Sequence, residues 1–327
     1  MESTYPRETR SQPRRGVQAL VWLLILLAGL RLFVALIQVP PFMSAQLGLV
    51  FSAVFIAIPI IGLFYAADAL WAPKPSAICL LSGVLTQAVS TIALGSASGW
   101  IAIFLSILAQ TGLILWCFGL GAVVACLIKD KNLLLPVAIF LAGFDVFLVT
   151  YPLGPVQQVL QKAPEILEKV AYSVPRPAET GQAVGVHVSS YVGPADFIFL
   201  SMFFVALFKF AMRPQKTLPW MVLALVGYMV TVLVFGHVSL GPVSLATLPA
   251  LLPIGLVILL VNSGEFKLKT DEMIGTAIVG LLAIGLAWFG LTAARPKPQV
   301  PPAETSPSPA SPIELGPARK PTPASPD

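Results

Sequence analysis

Nine times along this chain a run of some twenty apolar residues returns, near 17–39, 45–70, 76–96, 99–128, 132–152, 193–212, 218–237, 244–262 and 273–293. About 20 apolar residues in a helix cross the roughly 30 Å of bilayer hydrocarbon. Inside that layer every backbone N–H and C=O must find its partner within the protein, which the helix provides. The sequence therefore predicts an all-α fold, a polytopic transmembrane helix bundle of about nine spans. The run at 99–128 is long enough for one tilted span and too short for two. Composition agrees, with 57% hydrophobic and 11% charged residues against about 25% charged in soluble domains.

The breaks between runs are VPP at 39–41, APKP at 72–75, KDK at 129–131, MRPQK at 212–216 and EFKLKTDE at 265–272. They divide the chain into a basic segment 1–16, a membrane domain 17–293 and a tail 294–327. The first run exceeds a signal-peptide core and lacks a small-x-small cleavage site, so it is expected to be retained. Nine spans with the N-terminus inside place twelve Lys and Arg on the inner side and seven on the outer, the asymmetry expected for that orientation. The net charge of +5 thus reports topology. The bilayer is a partner and nucleic acid is not, because no basic patch studded with aromatics occurs. The tail holds eleven prolines after Arg295 and cannot bury a core. Cys79, Cys117 and Cys126 lie inside apolar runs and read as small buried hydrophobes.

The connection 153–192 departs from the pattern. Its first part, VQQVLQKAPEILEKVAY, spaces apolar residues at three and four, the stripe of a helix on the bilayer surface. Within VGVHV, Val184, Val186 and Val188 alternate with the period of a strand; a flexible linker is the alternative reading.

Chemistry is sought among the ionisable residues inside the runs: Arg31, Asp68, Asp145, Asp196 and Lys209. Arg31, Asp68 and Lys209 lie within snorkelling reach of a span end. Asp145 in AIFLAGFDVFLVTYP and Asp196 in VGPADFIFLSMFFVAL are each the only charge of their stretch. A carboxylate in hydrocarbon costs several kcal/mol unless it faces a partner or water, so both are expected to point inward. Two facing carboxylates hold one proton between them. The ionised member can then activate water while the protonated one donates to a carbonyl oxygen or a leaving nitrogen. Proton-coupled transporters also bury carboxylates, so the pair alone leaves both classes open. In SLATLPALLPIGL, Pro249 and Pro253 interrupt an apolar helix, whose start is expected to line the same cavity.

The order of these motifs carries a resemblance. Phe144-Asp145, a long loop, Gly193-Pro194-Ala195-Asp196 and then Pro249-Ala250-Leu251 resemble the YD, GxGD and PAL motifs of the presenilin and signal peptide peptidase intramembrane aspartyl proteases, over residues 132–262. FDVFLVTYPLGP and DFIF look like the presenilin text. The resemblance implies a prokaryotic-type single chain in the cytoplasmic membrane, with Asp145 and Asp196 as the catalytic pair. Phe144, Gly193, Pro194, Ala195, Pro249, Ala250 and Leu251 would shape the site. It further implies that Val184, Val186 and Val188 pair with unwound substrate. The substrates would be transmembrane helices, and neither cofactor nor metal is implied.

Three departures stand out. Phe144 lacks the hydroxyl of the family tyrosine, and Ala195 stands where the second glycine belongs. The motifs fall on the fifth, sixth and eighth runs instead of the sixth, seventh and ninth, with an additional run at 273–293. A catalytically impaired homologue that binds membrane helices and a proton-coupled transporter remain the alternatives. The chain shows no HExxH or GxSG motif and no inverted repeat.

Overall fold

The computed structural model describes residues 13–69, 71–154, 158, 169–182, 185–235, 239–240, 243–244 and 250–293. Among them are nine α-helices: α1 (Pro13–Leu36), α2 (Pro41–Ala67), α3 (Pro73–Leu94), α4 (Gly99–Leu127), α5 (Leu134–Thr150), α6 (Pro194–Lys209), α7 (Pro214–Phe235), α8 (Leu251–Asn262) and α9 (Thr270–Ala293). Short strands lie between them: β1 (Gln38–Val39), β2 (Tyr172–Arg176), β3 (Ala178–Glu179), β4 (His187–Val192), β5 (Ser239–Leu240) and β6 (Val243–Ser244). Seven of the helices are long and apolar enough to cross a membrane, and the chain is an all-α helical bundle of a multi-pass membrane protein.

Proline sets several helix starts. Pro41, Pro73 and Pro194 occupy the first turns of α2, α3 and α6, and Pro214 opens α7. A first-turn proline has no N–H to leave unpaired, and its fixed φ suits the helix, so each break in the apolar pattern also begins the next helix.

Glycine sets the closest crossings. A Cβ on Gly121 of α4 would sit 2.8 Å from both Met202 N and Ser201 Cβ of α6. On Gly112 it would sit 2.7 Å from Gln87 N of α3, and on Gly143 of α5 it would overlap Ala283 of α9. In a bilayer such backbone approach replaces the hydrophobic drive between helices.

Two helices are short. α6 has 16 residues and α8 has 12, so at 1.5 Å per residue they cover about 24 Å and 18 Å, less than the full hydrocarbon. Both begin beside the site described below.

The strands correct the sequence reading of the long connection. The expected strand at 184–188 lies further on, at His187–Val192. Val184 falls outside the described residues, Val186 precedes the strand and Val188 pairs with Pro175. Position is set by the partner, since β4 runs antiparallel to β2 from Tyr172↔Val192 to Arg176↔His187. The alternation of VGVHV is local and carries no information about that partner. The expected surface helix falls largely outside the described residues, and its last residue, Tyr172, belongs to β2.

The eighth run is also corrected. Its helix starts at Leu251, while Val243–Ser244 pairs with Ser239–Leu240. Pro253 thereby falls in the first turn of α8, where it removes no helical hydrogen bond.

Inserting a side chain at the α4–α6 crossing should separate the two helices. Gly121→Val is expected to cost about 1–3 kcal/mol by overpacking. Gly285→Val on α9, where nothing lies within 4 Å of the added carbon, should leave the thermal unfolding temperature in detergent unchanged.

Candidate active site

Asp145 sits on α5, Asp196 in the first turn of α6, and Ala250 and Leu251 at the start of α8. Pro249 lies outside the described residues. The Asp145 carboxylate accepts a 2.8 Å hydrogen bond from the backbone N–H of Leu251. That N–H is one of the donors a helix start leaves unpaired. The first and third sequence motifs are thus joined by one bond.

Asp196 is three residues into α6, counted from its N-cap Gly193. Its backbone N–H donates to Gly193 C=O at 3.2 Å, and its carboxylate turns back over Gly193, where an added Cβ would sit 3.4 Å from Oδ2. An acid at this position returning to the N-cap is half of a capping box. The positive end of the α6 dipole lies under it, as that of α8 lies under Asp145. The two carboxylates converge on the start of α8, Asp145 through its bond to Leu251 and Asp196 through the wall it shares with Ala250.

Beside Asp196 lies a cavity of about 50 Å³, against the roughly 10–15 Å³ one water requires. Its wall comes from α2 (Ile56, Ile60), Val192, α6 (Asp196, Phe197, Leu200), α7 (Leu225, Tyr228, Met229) and α8 (Ala250, Ile254). Only Asp196 and Tyr228 on that wall carry polar side chains. Tyr228 of α7 and Asp196 of α6 thus share one small apolar cavity. Sequence reasoning passed over Tyr228, because a tyrosine in an apolar span carries no signal until α7 is placed against α6. Cys117 of α4 also approaches, donating to Pro194 C=O at 3.5 Å.

The remaining sequence candidates divide. Gly193 has φ −64° and ψ 142°, and no non-glycine residue except Ala211 has positive φ among the described residues. Ala195 is therefore in ordinary helical conformation, and it is exposed. The backbone at this motif needs no second glycine. Phe144 stacks on Phe140 with ring centroids 5.5 Å apart, in a row that continues through Phe147 to Tyr151 and meets Phe289 of α9. Val188 is half-buried in β4, and Val186 packs with Ala35, Ile103 and Ile107.

Of the other intramembrane charges, Asp68 is exposed at the end of α2. Lys209 caps α4, donating to the carbonyls of Ala125, Cys126 and Ile128 at 3.0, 3.0 and 2.6 Å. Arg31 corrects the reading that it snorkels: it is 2% exposed and turned into the bundle.

Comparison of the chain with protein-family models, curated proteins and solved structures gives no match.

The Leu251 bond separates two ways of removing the Asp145 charge. Asp145→Asn keeps an oxygen that can accept from Leu251 and should unfold at or above the wild-type temperature. Asp145→Leu leaves that N–H without an acceptor and should be about 1–3 kcal/mol less stable than the asparagine variant, as read by thermal unfolding in detergent.

Proposed function

We propose that this chain is an intramembrane aspartyl endopeptidase that hydrolyses peptide bonds of transmembrane helices. The observation that carries the reading is the meeting of three separated motifs. Asp145 accepts from the first N–H of α8, Asp196 opens α6, and Asp196 lines a cavity with room for water together with Ala250, the residue before Leu251. This arrangement, together with the order of the FD, GPAD and PAL motifs, supports a presenilin-like fold and site.

The chemistry needs only the pair and one water. The ionised carboxylate takes a proton from water as its oxygen attacks the scissile carbonyl carbon, and the protonated carboxylate donates to the carbonyl oxygen. The tetrahedral diol then collapses with a proton delivered to the leaving nitrogen, and the C–N bond breaks. One water is consumed and the pair returns to its single shared proton. The two helix N-termini stabilise the pair's negative charge without a cation, and the apolar wall strengthens every electrostatic interaction inside. Tyr228 supplies a hydroxyl donor for the oxyanion from α7, at a site where Phe144 has none.

A helix hides its scissile carbonyl, so the substrate must unwind locally. β4 leads directly into Gly193 and Asp196. Among the described residues its only strand partner is β2, and we read the opposite side of β4 as the place where an unwound substrate adds as a strand. Ala195 has an ordinary helical backbone, so no glycine-only conformation is lost there, while Phe144 still lacks the hydroxyl of the family tyrosine.

A transmembrane reporter incubated with purified full-length protein tests the reading. Wild type should release two fragments, while Asp145→Asn and Asp196→Asn, each folded, should release none. Absence of cleavage by wild type across reporters of both orientations would refute it. Tyr228→Phe should lower kcat on the order of a hundredfold, as loss of one oxyanion donor does, with KM little changed. An unchanged kcat would remove Tyr228 from the chemistry. With the N-terminus inside, the strand pair faces out, and reporters with a cytoplasmic N-terminus should be cut preferentially.

A further inference from the structure

Arg31 is a buried cation in the middle of a membrane protein, and among the described residues no carboxylate lies within ion-pair distance of it. Its guanidinium instead donates to Ser173 of β2, through Nη1 to Oγ at 3.2 Å and through Nη2 to the backbone C=O. Nη2 also reaches Gln110 Oε1 of α4 at 3.4 Å. Gln110 Oε1 in turn accepts from Ser173 N–H at 3.1 Å, while its Nε2 donates to Ala171 C=O at 3.3 Å. The Tyr172 and Phe55 rings lie 4.6 and 5.5 Å from the guanidinium carbon and take up its charge through their faces.

The pattern of these bonds has a geometric meaning. In an antiparallel pair, the N–H and C=O of alternate residues point away from the partner strand. Those of Ser173, opposite Tyr191, are taken by Gln110 and Arg31. Two side chains therefore stand where a third strand would add to β2. The pair is also held from its other parts: Tyr172 OH donates to Phe55 C=O at 3.3 Å, and its ring meets Phe197 edge-on at 5.0 Å. Ser189 of β4 lies within hydrogen-bond distance of Ser52 of α2, at 3.0 Å. Phe197 adjoins Asp196 in sequence, so the depth of β2 and the position of the carboxylate are mechanically linked.

We propose that Arg31, with Gln110, is a positioning residue that closes the far edge of β2 and fixes the depth of the strand pair, so that unwound substrate adds only to the edge of β4 leading into Asp196. This rests on the proteolytic reading above. A strand slip of one residue presents a different peptide bond, so the anchor sets where the substrate is cut as well as how fast.

The test compares full-length wild type with Arg31→Lys, Arg31→Met and Gln110→Ala, the last keeping the cation in place should the first two fold poorly. Lysine keeps the charge but cannot reproduce the planar fork. Two readouts are taken on folded protein: amide exchange in 172–176 and 187–192, and product masses from a transmembrane reporter. Exchange in the strands should rise about tenfold or more while α4 stays protected. The single wild-type cleavage position should spread to neighbouring bonds. Unchanged strand exchange in the folded variants would overturn the anchor itself. Faster exchange with one unmoved cleavage position would overturn its role in placing substrate. Absence of cleavage by wild type would instead sink the proteolytic reading, with the exchange data still deciding whether Arg31 holds β2.

Discussion

Two carboxylates at bilayer depth must be stabilised by something, and here the partners are helix starts. An α-helix leaves its first N–H groups unpaired and carries a partial positive charge there. The short helices α6 and α8 supply those ends: α8 begins at the N–H that Asp145 accepts, and Asp196 lies in the first turn of α6. Non-helical backbone within an apolar bundle survives only when protein pairs it. The β2–β4 pair leads into α6, and Gln110 and Arg31 satisfy the far side of β2.

Lys209 and Arg31 illustrate one rule from opposite ends of the bundle. Each is a cation whose partners are mainly carbonyl or amide oxygens, with aromatic faces around Arg31 and no carboxylate in its shell. A cation next to the aspartates would tie up the charge that the proposed chemistry needs free. Helix ends stabilise that charge without forming an ion pair, and the cations are used elsewhere to close backbone.

The helices were legible in the sequence because the bilayer imposes one length and one composition on a span. Boundaries of α2 through α5 and α7 fall within a few residues of the apolar runs, and the carboxylates stood out as the lone charges of their stretches. What was hidden depends on contacts between distant residues. β2 reads as a helix end followed by a proline-rich linker, YSVPRP, until Arg31 and Gln110 hold it from 142 and 63 residues away. Tyr228 gives no signal until α7 is packed against α6. Ala195 departs from the GxGD pattern in sequence, and only the structure shows that it sits in plain helical conformation, where no glycine-only φ is needed.

The central claim is that Asp145 and Asp196 act as one unit on a tetrahedral carbon. An apolar peptide carrying a hydroxyethylene group in place of one peptide bond mimics that intermediate, and its binding to purified protein can be measured by calorimetry. The account predicts that wild type binds it at least about a hundredfold more tightly than the matching ordinary peptide, as transition-state mimics bind, and that Asp196→Asn loses the difference. Equal affinity for the two peptides in wild type would contradict it.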